Sequence, residues 1–258
     1  MTGNRKIGLV IQERDRQLFR ELGVMRVIDR EQAQVAAGFD SIRRANDRLL
    51  RLSRAGLLRR IFIGSAGHGQ KALYTLSPRG AATVGAEVAG LPMRQSIFGT
   101  SPFLLHRLAI NEIYLAVKHQ QLPRPDIRCA RWITFREPLT QAIPLIPDGY
   151  FELVVDGATR PMFVEADLGT EALGVWQKKV QTYLQLALSG EFPKLFRQPQ
   201  FRVLIVATTD KRLQHIRAVV AKQSDKIFWL CTFEQIHERA LWSPIWLRPA
   251  GEARHSLI

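Results

Sequence analysis

PDGYFELVVDGATRPMFVEADL, residues 147–168, is the stretch on which the fold turns. Two runs rich in β-branched and aromatic residues flank Asp156-Gly157, a dipeptide suited to a tight hairpin turn because both positions tolerate positive φ. The pattern predicts strands over Ile146–Val155 and Met162–Leu168. Folding the hairpin back brings Asp148 opposite the region of Glu165 to Asp167. Glu165 and Asp167 are two residues apart on a strand and so share a face. Three carboxylates on an apolar strand pair are costly unless a cation offsets them. Oxygen ligands of this kind suit Mg²⁺ or Mn²⁺, which can activate water beside a phosphoryl group. The alternative is a solvated strand face, or acids paired with the chain's many arginines.

Outward from the hairpin, Arg128–Arg136 reads as a strand and Phe103–Gln120 as a helix with a broad apolar surface. A helix is expected over Glu171–Leu188, a strand over Phe201–Ala207, a helix over Lys211–Lys222 and a strand over Ile227–Cys231. A short helix follows near Phe233–Arg239, and ALWSPIWLRPAG, residues 240–251, is expected to pack on the sheet. This order implies an α/β domain with a mixed sheet, its last βαβ unit parallel. The five tryptophans read as core or cap residues, and the six histidines show no metal-ligand spacing.

Charge is the unusual feature of the composition. Lys and Arg number 37 against 23 Asp and Glu, a net charge of +14, and residues 1–80 alone carry +9 from 16 basic and 7 acidic residues. A polyanion is the expected partner, nucleic acid first. Two cysteines exclude a disulfide framework and leave no CxxC pair for a zinc ribbon. No apolar run approaches the ~18 residues of a membrane span, and MTGNRKIGLV has no long apolar core, so a cytoplasmic, membrane-free protein is expected.

The basic first third reads as three helices and a hairpin. Arg14–Leu22 predicts a helix capped by Gly23, and Arg30–Ala37 a second, with Asp29 and Gln32 in a capping-box pattern. A third runs from about Asp40–Ser41 to Ala55, with Ile42, Ala45, Leu49 and Leu52 on one face. Strands at Leu57–Ile63 and Lys71–Leu76 flank GSAGHGQ, a glycine-rich tip that lacks the GK[ST] of a P-loop. This is the order of a winged helix-turn-helix, whose third helix enters the major groove. Ser41, Arg43, Arg44, Arg48, Arg51 and Arg54 on that helix, with His68 and Lys71 on the wing, are the candidate contacts to double-stranded DNA. An arginine-rich face that is merely solvated is the plainer reading. A domain boundary is expected near 92–100, giving residues 1–95 and 100–258.

Pro147-Asp148 followed by Glu165-Ala166-Asp167, after a helix carrying Glu112, resembles the PD-(D/E)XK nuclease superfamily, whose core is αβββαβ. Over residues 11–190 the chain as a whole resembles the replication-relaxation family of mobile elements, through RDRQLFREL, YTLSPRG, HRLAINEIY, PDGYFEL, FVEADLGTE and KVQTY in that order. The resemblance implies a DNA-binding protein of a plasmid or integrative element, acting in replication or mobilisation beside a relaxase or replication proteins, with self-association expected. It implies metal-binding roles for Asp148 and Glu165 and an accessory role for Glu112. Asp167 stands where the nuclease motif has lysine. Lys179 of KVQTY, with Lys178 beside it, is the candidate replacement, so the domain is either a Mg²⁺-dependent endonuclease or an inactive nuclease fold used for binding or assembly, the latter including a winged-helix transcription or replication regulator that uses it for oligomerisation.

Overall fold

A computed structural model describes residues 9–64, 69–86 and 102–258. The chain divides between Leu115 and Ala116 into two units. The first holds α1 (Glu13–Met25), α2 (Arg30–Ala37), α3 (Ile42–Arg54), the antiparallel hairpin β1 (Leu58–Ile63) and β2 (Lys71–Leu76), α4 (Pro78–Ala82) and the start of α5 (Pro102–His119). Leu18, Leu22 and Met25 recur at i, i+4 and i+7 on α1 and are buried, as are Phe19, Leu49 and Leu52. That stripe explains why α1 runs past Gly23, where its end is expected, and leaves the helical path only at Arg26, φ 68°. Burying Met25 outweighs the ~1 kcal/mol that an internal glycine costs a helix.

α2 keeps its expected limits. Asp29 accepts from the Gln32 N–H at 2.7 Å, and Gly38 closes the helix in the left-handed region at φ 61°. The capping box is only half made, because the Gln32 side chain instead donates to the Leu108 carbonyl of α5 at 2.8 Å. Asn111 and Tyr114 of α5 likewise donate to the Val27 carbonyl at 2.6 Å and to Glu21 at 2.5 Å. The division therefore falls within α5, whereas the 95–100 boundary region lies outside the described residues.

The second unit is built on a mixed sheet of seven described strands in the order β3 (Arg128–Ile133), β4 (Gly149–Val155), β5 (Ala158–Asp167), β6 (Arg202–Ala207), β7 (Phe228–Thr232), β8 (Trp246–Leu247) and β9 (Arg254–His255). β3–β4–β5 pair antiparallel, β5–β6–β7 parallel, and β7–β8–β9 antiparallel. Asp156 and Gly157 form the expected hairpin turn, with φ of 51° and 76°. α6 (Leu173–Leu188), α7 (Glu191–Phe196), α8 (Asp210–Ala221) and α9 (Phe233–Arg239) complete it. One sheet face, with Tyr150, Phe163, Val203, Ile205, Phe228 and Leu230, forms a core with Trp176, Val180 and Tyr183 of α6 and Leu213 and Ile216 of α8. On the other face Trp132 stacks on Phe151 with ring centroids 6.0 Å apart. Gly149 lies beneath that stack, where a Cβ would stand 2.6 Å from the Trp132 ring. Among the described residues no helix is long and apolar enough to cross a membrane.

Candidate functional site

The hairpin register places Gly149 opposite Val164, so Asp148 arrives beside the end of β5, where its Oδ2 accepts from the Ala166 N–H at 2.8 Å. α6 covers the face that carries Glu165 and Asp167. Trp176, Lys179 and Tyr183 stand at i, i+3 and i+7 on this helix, and so all three reach the strand. Tyr183 donates its hydroxyl to Glu165 Oε1 at 2.6 Å, and Lys179 Nζ donates to Glu165 Oε2 at 3.0 Å and to Glu171 Oε1 at 3.3 Å.

Glu165 is fully buried. Burial pushes its carboxyl up to about 7, and the nearby charge of Asp148 adds to the rise, against the pull of Lys179 and Tyr183. Burial disfavours the Lys179 ammonium, but Glu165, Asp148 and Glu171 outweigh it and raise Lys179 above its ordinary value. Burial also lifts Tyr183 well above its own.

The raised carboxyl has a stability consequence. From its ordinary 4.5 to about 7, Glu165 binds more protons in the folded chain than in the unfolded one. Its contribution therefore falls as pH rises through that window and is fully unfavourable above it. The loss is up to ~3 kcal/mol at 1.36 kcal/mol per unit. Glu165→Gln should flatten this part of the profile and stabilise the second unit above pH 7 relative to wild type. Urea unfolding at several pH values checks it, and parallel curves for the two proteins would contradict the assignment.

Asp167 shares the face but not the arrangement. Its Oδ1 accepts from Arg212 Nε at 2.7 Å and the Gly169 N–H at 2.8 Å, and its Oδ2 from Arg212 Nη2 at 2.8 Å and Trp176 Nε1 at 2.7 Å. Burial opposes its ionisation, but the Arg212 fork, Trp176 and Gly169 together hold the carboxyl below its ordinary value. The expected convergence of three acids thus resolves into Asp148–Glu165–Lys179 and Asp167–Arg212. Among the described residues no group of three or more His, Cys, Asp or Glu is placed to hold a metal ion. Asp167, with both oxygens committed, does not fit a cation site. Glu165 is likewise engaged through both oxygens, by Tyr183 and Lys179, so a cation held by Asp148 and Glu165, with water and phosphate completing its shell, would have to displace the Lys179 contact. Glu112 is half-buried on α5, in the first unit. Tyr183 and Glu171 were legible beside the motifs in KVQTY and GTE, whereas nothing local marks Arg212, which comes from α8.

On the first unit, α3 buries Ala45, Leu49 and Leu52, and Ser41 caps it by accepting from the Arg44 N–H at 3.2 Å. Arg43, Arg51 and Arg54 are exposed and have no hydrogen-bond or ion-pair partner among the described residues. Arg44 is exposed and pairs with Asp40 one turn away. Arg48, expected on the outward face, is turned inward. Its side chain is 13% exposed, and its guanidinium holds both oxygens of Asp15, itself 1% exposed, and donates to the Val10 carbonyl at 2.7 Å. A buried carboxylate on α1 needs a charged partner, and Arg48 supplies it. Lys71 is paired with Asp29, and His68 lies outside the described residues. The exposed Arg59 and Arg60 of β1, not singled out from the sequence, extend the basic surface, with Arg60 over the Phe62 ring at 4.5 Å.

Residues 19–196 match the family model described as Replication-relaxation. No curated protein and no solved structure matches the chain.

Proposed function

We propose, from the premise that this chain belongs to the replication-relaxation family, that its first unit reads double-stranded DNA as a winged helix and serves the replication or mobilisation of a plasmid or integrative element. The observation that carries this reading is the division of α3 into a buried apolar face and an exposed face with Arg43, Arg44, Arg51 and Arg54. A helix of this width fits the major groove, and the arginine forks suit phosphates and guanine edges. The exposed Arg59 and Arg60 on the hairpin would add backbone contacts. Anisotropy of a labelled duplex over a salt series tests it: affinity should fall steeply with salt, and salt-insensitive or absent binding overturns it.

A second reading rests on Lys179, 3.0 Å from Glu165 and within electrostatic reach of Asp148. Here the second unit is a PD-(D/E)XK-type domain that nicks DNA, with the lysine supplied from the helix instead of the strand. Asp148 and Glu165 would hold Mg²⁺ or Mn²⁺. When bound, the ion supplies an acidified water and charge neutralisation at the phosphate. Lys179 stabilises developing negative charge, and Tyr183 fixes the Glu165 carboxylate. Nicking of supercoiled plasmid with Mg²⁺ should fall roughly a hundredfold or more in Glu165→Gln and Lys179→Met, the scale for removing one preorganised charge-stabilising group. No nicking by the wild type removes this reading and leaves the first intact.

A further inference from the structure

The sheet face opposite Glu165 carries a second charged arrangement, within the second unit. In the parallel register Met162 faces Arg202 and Leu204 faces Trp229, so Arg160, Arg202 and Trp229 point to one side, while Glu165 and Asp167 point to the other. Trp229 is buried, and two guanidiniums lie against its ring, Arg202 at 4.4 Å and Arg248 at 4.8 Å from the centroid. His255 meets the ring edge-on at 5.8 Å.

What these arginines lack is an ion-paired acid. Arg160 and Arg202 both donate to one backbone oxygen, that of Leu257, at 3.2 and 3.0 Å. Arg248 donates to the carbonyls of Asp225 and Lys226, and its buried Nε has no partner. Among the described residues none of the three has a salt bridge, whereas Arg131, Arg212 and Arg217 of the same unit each have one. Burial lowers Arg202 below its ordinary value, and Arg160 and Arg248 depress it further. Asp225 offsets Arg248 in part, but half-buried like charges with no ion-paired acid are costly in an isolated chain and favourable once an anion joins them. Stacking on Trp229 fixes two of the forks in advance and reduces the entropy lost on binding.

We propose that Arg160, Arg202 and Arg248, arrayed about Trp229, form a phosphate-binding site on the sheet face opposite Glu165. A phosphate suits it better than a carboxylate, since several oxygens can meet several forks at once. The group comes either from a nucleic-acid backbone or from free phosphate, and the site is independent of α3.

The test uses the full chain, with unfolding followed by tryptophan fluorescence; all five tryptophans lie in the second unit. Inorganic phosphate should raise the wild-type midpoint over chloride at matched ionic strength by a few degrees, and Arg160→Gln with Arg202→Gln should abolish the rise. If that pair does not fold, Arg160→Lys with Arg202→Lys keeps the charge but not the forks and should reduce it. No rise in wild type, a rise that survives both pairs, or an equal rise with polyglutamate overturns the proposal. For duplex DNA, the Gln pair should make the plot of log affinity against log salt shallower by about two. An unchanged slope with a lost phosphate response assigns the site to free phosphate. Arg51→Ala with Arg54→Ala should leave the phosphate response intact, so failure of the groove-reading proposal is distinguishable from failure of this one.

Discussion

Replacing Arg43, Arg44, Arg51 and Arg54 together by alanine should weaken binding of duplex DNA about a thousandfold at moderate salt, taking ~1 kcal/mol for each exposed charge-assisted contact. The salt dependence should become shallower by about one unit for each arginine that meets a phosphate. The fold should survive, because Ala45, Leu49 and Leu52 on the buried face are untouched and alanine favours the helix. Anisotropy across a salt series measures both quantities, with circular dichroism as the folding control. A folded variant with wild-type affinity would place the DNA contacts elsewhere.

Arg48 should behave differently from its neighbours. Asp15→Ala leaves its guanidinium largely buried and unpaired, and also removes the acceptor for the Gln12 N–H at 2.7 Å. Breaking one side of such a pair costs about 3–5 kcal/mol, enough to unfold the first unit well before the second in urea. Arg48→Ala should likewise act through folding, so its DNA affinity, corrected for the folded fraction, should stay near wild type. Asp15→Leu with Arg48→Met should recover most of the loss, since an apolar pair of similar volume avoids the uncompensated charge. Wild-type stability in Asp15→Ala would show that the ion pair contributes nothing.

The elements set by local chemistry were legible in the sequence. α2 has its expected ends because Asp29 and Gly38 are caps whose geometry depends on their own side chains. α9 and the Asp156-Gly157 turn follow for similar reasons. Elements that depend on distant partners were less so. α7 has Pro193 inside it and is held by Phe192 and Phe196 packing into the aromatic core. β5 begins four residues before its expected start because β4 pairs along its whole length, which drew Ala158 and Arg160 into the ladder. β8 and β9 are two residues each, too short for any alternation to register.

The same limit governed the site. Strand periodicity placed Glu165 and Asp167 on one face, and the KVQTY motif pointed to Lys179. Their separation into two charge arrangements depends on Arg212, which reaches Asp167 only because β6 pairs parallel to β5 and α8 returns over that face. On α3, spacing alone could not distinguish Arg48 from Arg44 and Arg51, because the selecting feature is a carboxylate on another helix.

Gly149 carries a consequence for sequence drift. Any side chain there would drive into the Trp132 ring and part it from Phe151, loosening the sheet's outermost strand one residue from Asp148. In a library of single substitutions position 149 should accept almost nothing, while neighbouring exposed positions vary freely. A carboxylate that is easy to replace chemically thus sits next to a backbone atom that cannot be decorated. Lineages that abandon the acid should still keep the glycine.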